Sequence, residues 1–307
     1  MDISIIIVSY NTKKLLRDCI ISIIKNTKNI NYEIIVVDNA STDGSVEVIK
    51  KLRRTNSINL KIIENETNLG FGGGNNLGIK RAKGKFILLL NSDTIIHDNL
   101  VREMVSWMDD MDKVGVASCG LKNSDGSFQG TGGSFPDLLR VFSWMFFIED
   151  IPGIDRLIKP FHPMHPNSPV YKGDAYFKKE HETDWLTAAF LLIRKKVIEE
   201  VGYFDENYFA YVEEVDLCYR VKKGGWKVYY NPSWSITHYG GASSTAEFPI
   251  LSEFEGVKIF YKKHMPKWQY PVLRVMLKAG ALIRIGVLGL LKGKPAVKTY
   301  VKAFQIA

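Results

Sequence analysis

The residues of this chain whose types and spacing could do chemistry are three carboxylates at the start of a helix-like run, an aspartate behind a leucine run, and a histidine before two glycines. The run "YVEEVDLCYRVKKGG" (211–225) places Glu213, Glu214 and Asp216 ahead of its basic residues and stops at Gly224 and Gly225. Acids first and bases last is the order in which a helix complements its own dipole, so a structural role stands beside a chemical one. At about 100° per residue Glu213 and Asp216 share a face and Glu214 lies off it. One of these carboxylates can therefore leave the helix start and point into a pocket, where a carboxylate is expected to stay ionised at neutral pH and can accept a proton.

"LLLNSDT" (88–94) closes a buried-strand pattern on Asp93, either half of a metal site or a polar residue ending a strand. His238 in "WSITHYGG", taken alone, is more economically a packed or surface side chain. His162 and His165, in the proline-rich stretch, are expected to face solvent. In "VVDNASTDGS" (36–45), Asp38 stands at a strand exit where it can accept from a base N–H or a ribose hydroxyl, whereas Asp43 is suited to cap the next helix. The stretch "NLGFGGGNNLGIKRA" (68–82) breaks the dinucleotide fingerprint at Asn75 or Leu77 and has no GK[ST], which argues against hydride transfer and a P-loop. Its glycines either form a loop capping a helix that begins near Asn75 or let the backbone approach a ligand closely.

The elements that must position these residues alternate. "ISIIIVSY" (3–10), "YEIIVVD" (32–38), "LKIIEN" (60–65) and "KFILLLN" (85–91) are apolar on both faces, with helix-like stretches from near Thr12, Asp43 and Gly74 between them. This is the pattern of a parallel sheet covered on both sides, whose ligands bind outside the C-terminal strand ends. Ser9, Tyr10, Asn11, Asp38, Asn39, Asn91, Ser92 and Asp93 all fall on that edge. Residues 117–180 are less regular, with one aromatic helix. From 184 a strand (Trp185 to Ile193), a short helix, the acidic helix and a strand near Trp226 to Tyr230 follow.

The 307 residues, 46% hydrophobic and 24% charged, suit one large domain with an appendage. Met1 and Asp2 lead directly into the first strand without a basic n-region, so no secretory leader is expected. Cys19, Cys119 and Cys218 are far apart and form no CxxC, which fits a reducing cytoplasm. The formal net charge of +8 is concentrated late in the chain, beside an apolar helix rather than around exposed aromatics on a sheet, which disfavours nucleic acid as the partner.

Six stretches in order, "VSYN", "IIVVDNASTDGS", "NLGFGGGNNLGI", "LLLNSDT", "DWLTAAFLLIR" and "GYFDENYFAYVEEVDLCYRVKKGGW…SITH", resemble the inverting glycosyltransferases of family two, and most closely the bacterial rhamnosyltransferase-like branch. The resemblance covers roughly residues 3–245 and implies the GT-A fold: a Rossmann-like α/β domain with a mostly parallel central sheet flanked by helices. It implies a catalytic domain over 1–245, with a nucleotide-binding half to about 115 and an acceptor half after it. Ser9, Tyr10, Asn11, Asp38 and Asn39 would hold the donor nucleotide, with Asn68, Gly70 and Asn75 closing round it. "NSD" stands where relatives carry DxD, so Asp93 would bind Mg²⁺ or Mn²⁺ with His238 as second ligand and Asn91 as an uncharged neighbour. Glu214 would be the catalytic base, with Glu213 the alternative and Asp216 structural or acceptor-facing. Asp184, Trp185 and Thr187 would meet the acceptor, beside Ala188 where the family usually has glycine.

Residues 246–307 read as a basic, amphipathic helical extension. In "PVLRVMLKAGALIRIGVLGLLKGK" (271–294), charges interrupt any spanning stretch. Arg274, Lys278, Arg284 and Lys292 fall within an arc of about 120° and leave a wide apolar face. That suits either a helix lying in the headgroup region of an anionic leaflet or a helix packed on the catalytic domain or a partner subunit. The expected activity is inverting transfer of a hexose, with dTDP-L-rhamnose the first choice of donor and a UDP-sugar the second. The acceptor is a polysaccharide or lipid-linked glycan of the cell surface, reached from the cytoplasm or the inner face of the membrane. The competing expectation is a catalytically silent subunit that binds nucleotide sugar or glycan within a biosynthetic complex.

Overall fold

The computed structural model describes residues 1–55, 58–151, 153–154, 157–162, 177–240 and 247–307. His165 lies outside them. The first half runs β1 (Ile3–Ser9), α1 (Lys13–Asn26), β2 (Tyr32–Asp38), α2 (Ser45–Thr55), β3 (Leu60–Glu64), α3 (Gly70–Arg81) and β4 (Phe86–Leu90). β1 pairs in parallel with β2 and β4, and β2 with β3. Alternation along β1 explains why its sequence is apolar at all positions but Ser4 and Ser9. Ile3, Ile5 and Ile7 join Leu16, Ile20 and Ile23 of α1 on one side, and Ile6 joins Ile35, Val37 and Ile79 on the other.

The helix α3 begins at Gly70, four residues before the expected start, and absorbs the glycines. Glycine is a poor helix former, so packing must supply the reason. A Cβ on Gly78 would sit 2.4 Å from Ile6 Cγ2, and one on Gly70, at φ +74°, only 2.2 Å from the Phe209 carbonyl oxygen. These glycines let the helix lie close on β1 and on the loop before the acidic helix. The close approach is made to protein.

Next come β5 (Thr94–Ile95), α4 (Leu100–Asp110), β6 (Val114–Lys122), β7 (Phe128–Gln129) and α5 (Leu138–Met145). Then follow β8 (His181–Thr183), β9 (Phe190–Arg194), α6 (Lys195–Val201), α7 (Glu213–Lys223) and β10 (Lys227–His238). The sheet order is β3-β2-β1-β4-β9-β6-β10-β5, with β7 on β6 and β8 on β10. β9 is antiparallel to both β4 and β6, while β6 and β10 pair in parallel. The parallel half thus gives way to a mixed half.

Three details of that half differ from expectation. β6, "VGVASCGLK", is a central strand within a region expected to be largely irregular, because its small residues give a weak apolar signal. β9 starts at Phe190, since Trp185 is bridged to Gly133 instead. β10 runs to His238, its register on β6 shifting between Asn231 and Ser235 around Pro232, so that the strand continues past a residue without an N–H.

Three helices close the chain: α8 (Phe248–His264), α9 (Gln269–Lys292) and α10 (Lys294–Ile306). Their Phe254, Val257, Phe260, Leu277, Ala281 and Ala303 join the same hydrophobic core as Val215 and Leu217 of α7. A Cβ on Gly256 would lie 2.7 Å from the Val212 side chain, so α8 rests directly on the turn before α7. Arg284, expected on the polar arc of α9, is buried. It donates to the main-chain carbonyls of Trp144 (2.6 Å) and Met145 and lies 4.6 Å from the centre of the Phe147 ring. Among the described residues no helix is long and apolar enough to cross a membrane.

Candidate active site

A cleft of about 530 Å³ opens over the C-terminal ends of β1, β2 and β4. Tyr10, Asn39, Asn68, Gly70, Asn91, Asp93 and His238 line its sheet side, and Thr187, Phe209, Tyr211, Glu213 and Glu214 the rest of its wall. Asn39 ties the edge together: its Nδ2 donates to Asn68 Oδ1 (3.2 Å) and the Gly70 carbonyl (3.0 Å), and its Oδ1 accepts from Asn65 (2.8 Å). Asp38 Oδ2 accepts the Ser41 N–H at 2.8 Å, while its buried Oδ1 carries no hydrogen bond. An unpaired buried acceptor at a strand exit is suited to a ligand N–H or O–H.

His238 reaches Asp93 because β10 pairs antiparallel with β5, setting His238 opposite Thr94. His238 Nε2 stands 3.3 Å from Asp93 Oδ1 and 3.3 Å from Asn91 Nδ2. Gln129 Nε2 donates to the His238 main-chain carbonyl (2.8 Å), so its Oε1, 2.7 Å from Nδ1, accepts the imidazole proton. Nε2 is then the ring nitrogen turned toward Asp93 and the cleft. A carboxylate and an imidazole nitrogen so arranged fit a divalent cation, with the orienting bond that metal-binding histidines use. Among the described residues no three His, Cys, Asp or Glu gather as one metal site, which leaves further coordination to asparagine, water or substrate oxygens.

The acidic helix enters through two consecutive left-handed residues, Tyr211 (φ +66°) and Val212 (φ +73°), an uncommon and strained pair for a bulky and a β-branched side chain. This turn brings Glu213 and Glu214 to the cleft while Asp216 faces away. Glu213 is buried and its Oε2 lacks a hydrogen bond; burial and the neighbouring Glu214 charge hold its carboxyl well above the usual range. Burial also pushes Glu214 up to about 7, opposed by hydrogen bonds from the helix start and by the charge of His162. The expectation of a carboxylate ionised throughout the neutral range is thus corrected: desolvation outweighs the helix dipole. Asp216 is spent on structure, with Arg220 (2.8 Å), Lys263 (2.8 Å) and His264 (2.6 Å) around it.

The Glycosyl transferase family 2 model matches residues 4–202, which span the sheet edge, Asp93 and the α3 glycines. The chain belongs to glycosyl transferase family 2. It is 24% identical over 265 residues to the N-acetylglucosaminyl-diphospho-decaprenol L-rhamnosyltransferase of Mycobacterium tuberculosis, covering 82% of this chain and 81% of the relative. It is 25% identical over 244 residues to the rhamnosyltransferase WbbL of Escherichia coli, covering 76% and 82%. In fold it is similar to a mannosyltransferase of Pyrobaculum calidifontis in complex with GDP-Man and Mn²⁺. There the TM-score is 0.60 and identity 14%, over 99% of this chain and 86% of that one.

Not every expected residue of this family 2 chain meets the cleft. Ser9 is buried, bonded to Thr12 (2.9 Å), which bonds to Ser92 (3.0 Å) and so joins the exits of β1 and β4. Asn11 stitches its loop to the one after β2 through the Thr42 N–H (2.8 Å). Asn75 is buried and donates to the Phe71 carbonyl within α3. Asp184 is held by Lys222 (2.9 Å) and the Phe135 N–H (3.0 Å) and lines neither this cleft nor its neighbour.

Trp185 and Thr187 line a second cavity of about 190 Å³, on the other side of Glu214, with Phe161, His162 and Glu253. His162 is not solvent-facing: it pairs with Glu253 and packs between Phe161 and Trp144. The sequence motifs did not point to Gln129, His162, Glu253 or Phe248, which arrive from β7, the stretch before residue 163 and α8. Phe209 and Tyr211 stood inside the aromatic run before the acidic motif, the one signal available.

Proposed function

We propose that this chain is a metal-dependent inverting hexosyltransferase. It would use a nucleoside-diphosphate sugar, dTDP-L-rhamnose before a UDP-sugar, and a polysaccharide or lipid-linked glycan acceptor in cell-surface glycan biosynthesis. The observation that carries this reading is the meeting of three groups in one cleft: the β1–β2–β4 exits, the Asp93–His238 pair and the adjacent Glu213 and Glu214 carboxyls, each with one oxygen free of hydrogen bonds.

The Asn39–Asn68 pair on the cleft wall suits the donor nucleotide, with Asp38, whose Oδ1 carries no hydrogen bond, buried at the same strand exit and not itself lining the cleft. Asp93 and His238 would hold Mg²⁺ or Mn²⁺, which when bound neutralises charge on the departing diphosphate. Glu214 lines both cavities, so an acceptor ring lying against Trp185 in the smaller one can present its hydroxyl to that carboxylate. The ionised Glu214 removes the hydroxyl proton as the oxygen bonds to the anomeric carbon and the bond to the diphosphate breaks on the opposite face. Glu213, kept protonated by burial beside a charged neighbour, is the poorer base. On this reading residues 1–245 are the catalytic domain and 246–307 an extension packed on it.

A membrane-borne acceptor accords with α9. Its buried side holds Leu273, Leu277, Ala281 and Arg284, whereas Val275 (68% exposed), Leu282 (56%) and Leu290 (90%) lie on the opposite, solvent side. Residues 247–307 carry 11 lysines and arginines against 3 glutamates, the whole of the formal charge of +8. An apolar stripe on a basic segment suits the surface of an anionic leaflet. The deciding assay combines the purified protein, Mn²⁺, dTDP-rhamnose or UDP-sugars and lipid-linked acceptors. Release of nucleotide with transfer, lost in Glu214→Gln, is the expected result; no release with any donor would sink the enzyme reading.

A further inference from the structure

Behind the wall of the cleft formed by Glu214 lies a partly buried ionic cluster that the reaction above does not use. His162 Nε2 stands 3.1 Å from Glu253 Oε1 of α8, and both line the smaller cavity together with Glu214. The imidazole is enclosed by aromatic rings, with centroids 4.0 Å away at Phe161, 5.6 Å at Trp144 and 5.8 Å at Trp185. Charge is weakly screened in such a setting.

We propose that His162, held by Glu253, is a positioning residue that supplies positive charge behind Glu214 and keeps that base ionised. The groups facing the imidazole come from three elements: Glu253 from α8, Glu214 from α7, and Glu149 from the short 3-10 turn 148–150. Glu149 is buried with neither oxygen hydrogen-bonded, and burial pushes it up to about 7 against the pull of His162 and Arg284. Asp150 lies beside Glu149, and Glu213 beside Glu214.

Three carboxyls thus converge on one imidazole. Burial alone would make His162 a weaker base, yet Glu253, Glu149 and Glu214 together raise it above its ordinary value. The same attraction acts on Glu214 in reverse, because coupling between two sites is reciprocal. Without the imidazolium, Glu214 would hold its proton further into the alkaline range and spend less time as a base.

This rests on Glu214 being the base, but its first test does not need turnover. With ¹³C-labelled histidine in the full chain, the His162 ring signal, assigned by its loss in His162→Gln, should titrate above 6.5. In Glu214→Gln it should fall. In the transfer assay, His162→Gln should move the acid limb of kcat up by about one unit. That lowers kcat at pH 7 about fivefold with donor KM unchanged, and His162→Lys should restore it.

A His162 signal at or below 6.5, or one unmoved in Glu214→Gln, overturns the proposal, as does an equal loss of rate at every pH. If His162→Gln fails to fold by circular dichroism, a Glu253→Gln chain supplies the assignment through the one histidine signal it lowers most, and the Glu214→Gln titration decides. If the wild-type chain turns over no donor, the enzyme reading fails while the titration still judges the coupling.

Discussion

Gln129 and His238 grip each other at two points: the Gln129 amide N–H donates to the His238 main-chain carbonyl at 2.8 Å, and the imidazole Nδ1–H donates to Gln129 Oε1 at 2.7 Å. A carbonyl oxygen can only accept, so the amide orientation and the imidazole tautomer are settled together. The nitrogen left for a cation is the one facing Asp93. Replacing Gln129 by Leu should therefore weaken Mn²⁺ binding about 10- to 100-fold, in a titration followed by calorimetry with donor diphosphate present, while circular dichroism stays unchanged.

Asp93 is the carboxylate beside His238 Nε2 at 3.3 Å, and Asn91 is the uncharged neighbour at the same distance. Asp93→Ala should abolish metal-dependent donor turnover. Asn91→Asp should leave it measurable, because it adds a ligand of the same reach. Removal of metal with EDTA should silence the wild type, and added Mn²⁺ should restore it.

Glu214 is pushed up to about 7 by burial, so it is mostly protonated below that pH and mostly a base above it. The kcat of the wild type should accordingly rise as pH increases through about 7. Glu214→Gln should lower kcat by roughly 10²- to 10⁴-fold with little change in donor KM, measured as nucleotide release at saturating acceptor.

Asp216 is lowered to about 2 by His264, Arg220 and Lys263, against the effect of burial. A depressed carboxyl stabilises the fold above its unfolded value, near 3.8, and loses that contribution as pH falls through about 2. Asp216→Asn leaves the Arg220 and Lys263 charges facing a neutral amide and should cost about 3 kcal/mol in urea unfolding at pH 7. The deficit should shrink as pH is lowered toward 2.

The exposed stripe of α9 should behave as a surface for lipid. The wild-type chain should co-sediment with vesicles containing phosphatidylglycerol more than with neutral vesicles, and less so as salt rises. Leu282→Ser with Leu290→Ser should weaken binding about tenfold without lowering the melting temperature, since both side chains face solvent in the fold.

The donor edge was legible in the residue order. Runs such as "ISIIIVSY" and "YEIIVVD" are mostly apolar because β1 and β2 are buried on both faces, with Ser4 and Glu33 inside them bonded to each other, and Tyr10, Asp38, Asn39, Asn91 and Asp93 follow directly from where those strands end. The acidic helix was equally plain, as its charge order and terminal glycines are local properties of one segment. These features depend on neighbours in sequence, which the chain carries with it wherever it folds.

What only the tertiary structure decided is which distant groups share a space. Asp93 meets His238 through an antiparallel pairing 145 residues apart in the chain, and Gln129 fixes that imidazole from a third segment. No local signal marks Glu214 as a base near neutrality, because that follows from its burial in the fold, where His162 and Glu253 of α8 share the smaller cavity with it. Arg284 is likewise polar by type and buried by place, its charge satisfied by carbonyls of α5. Ionisation and coordination are set by what surrounds a group in three dimensions, and that surrounding exists only once the helices have packed.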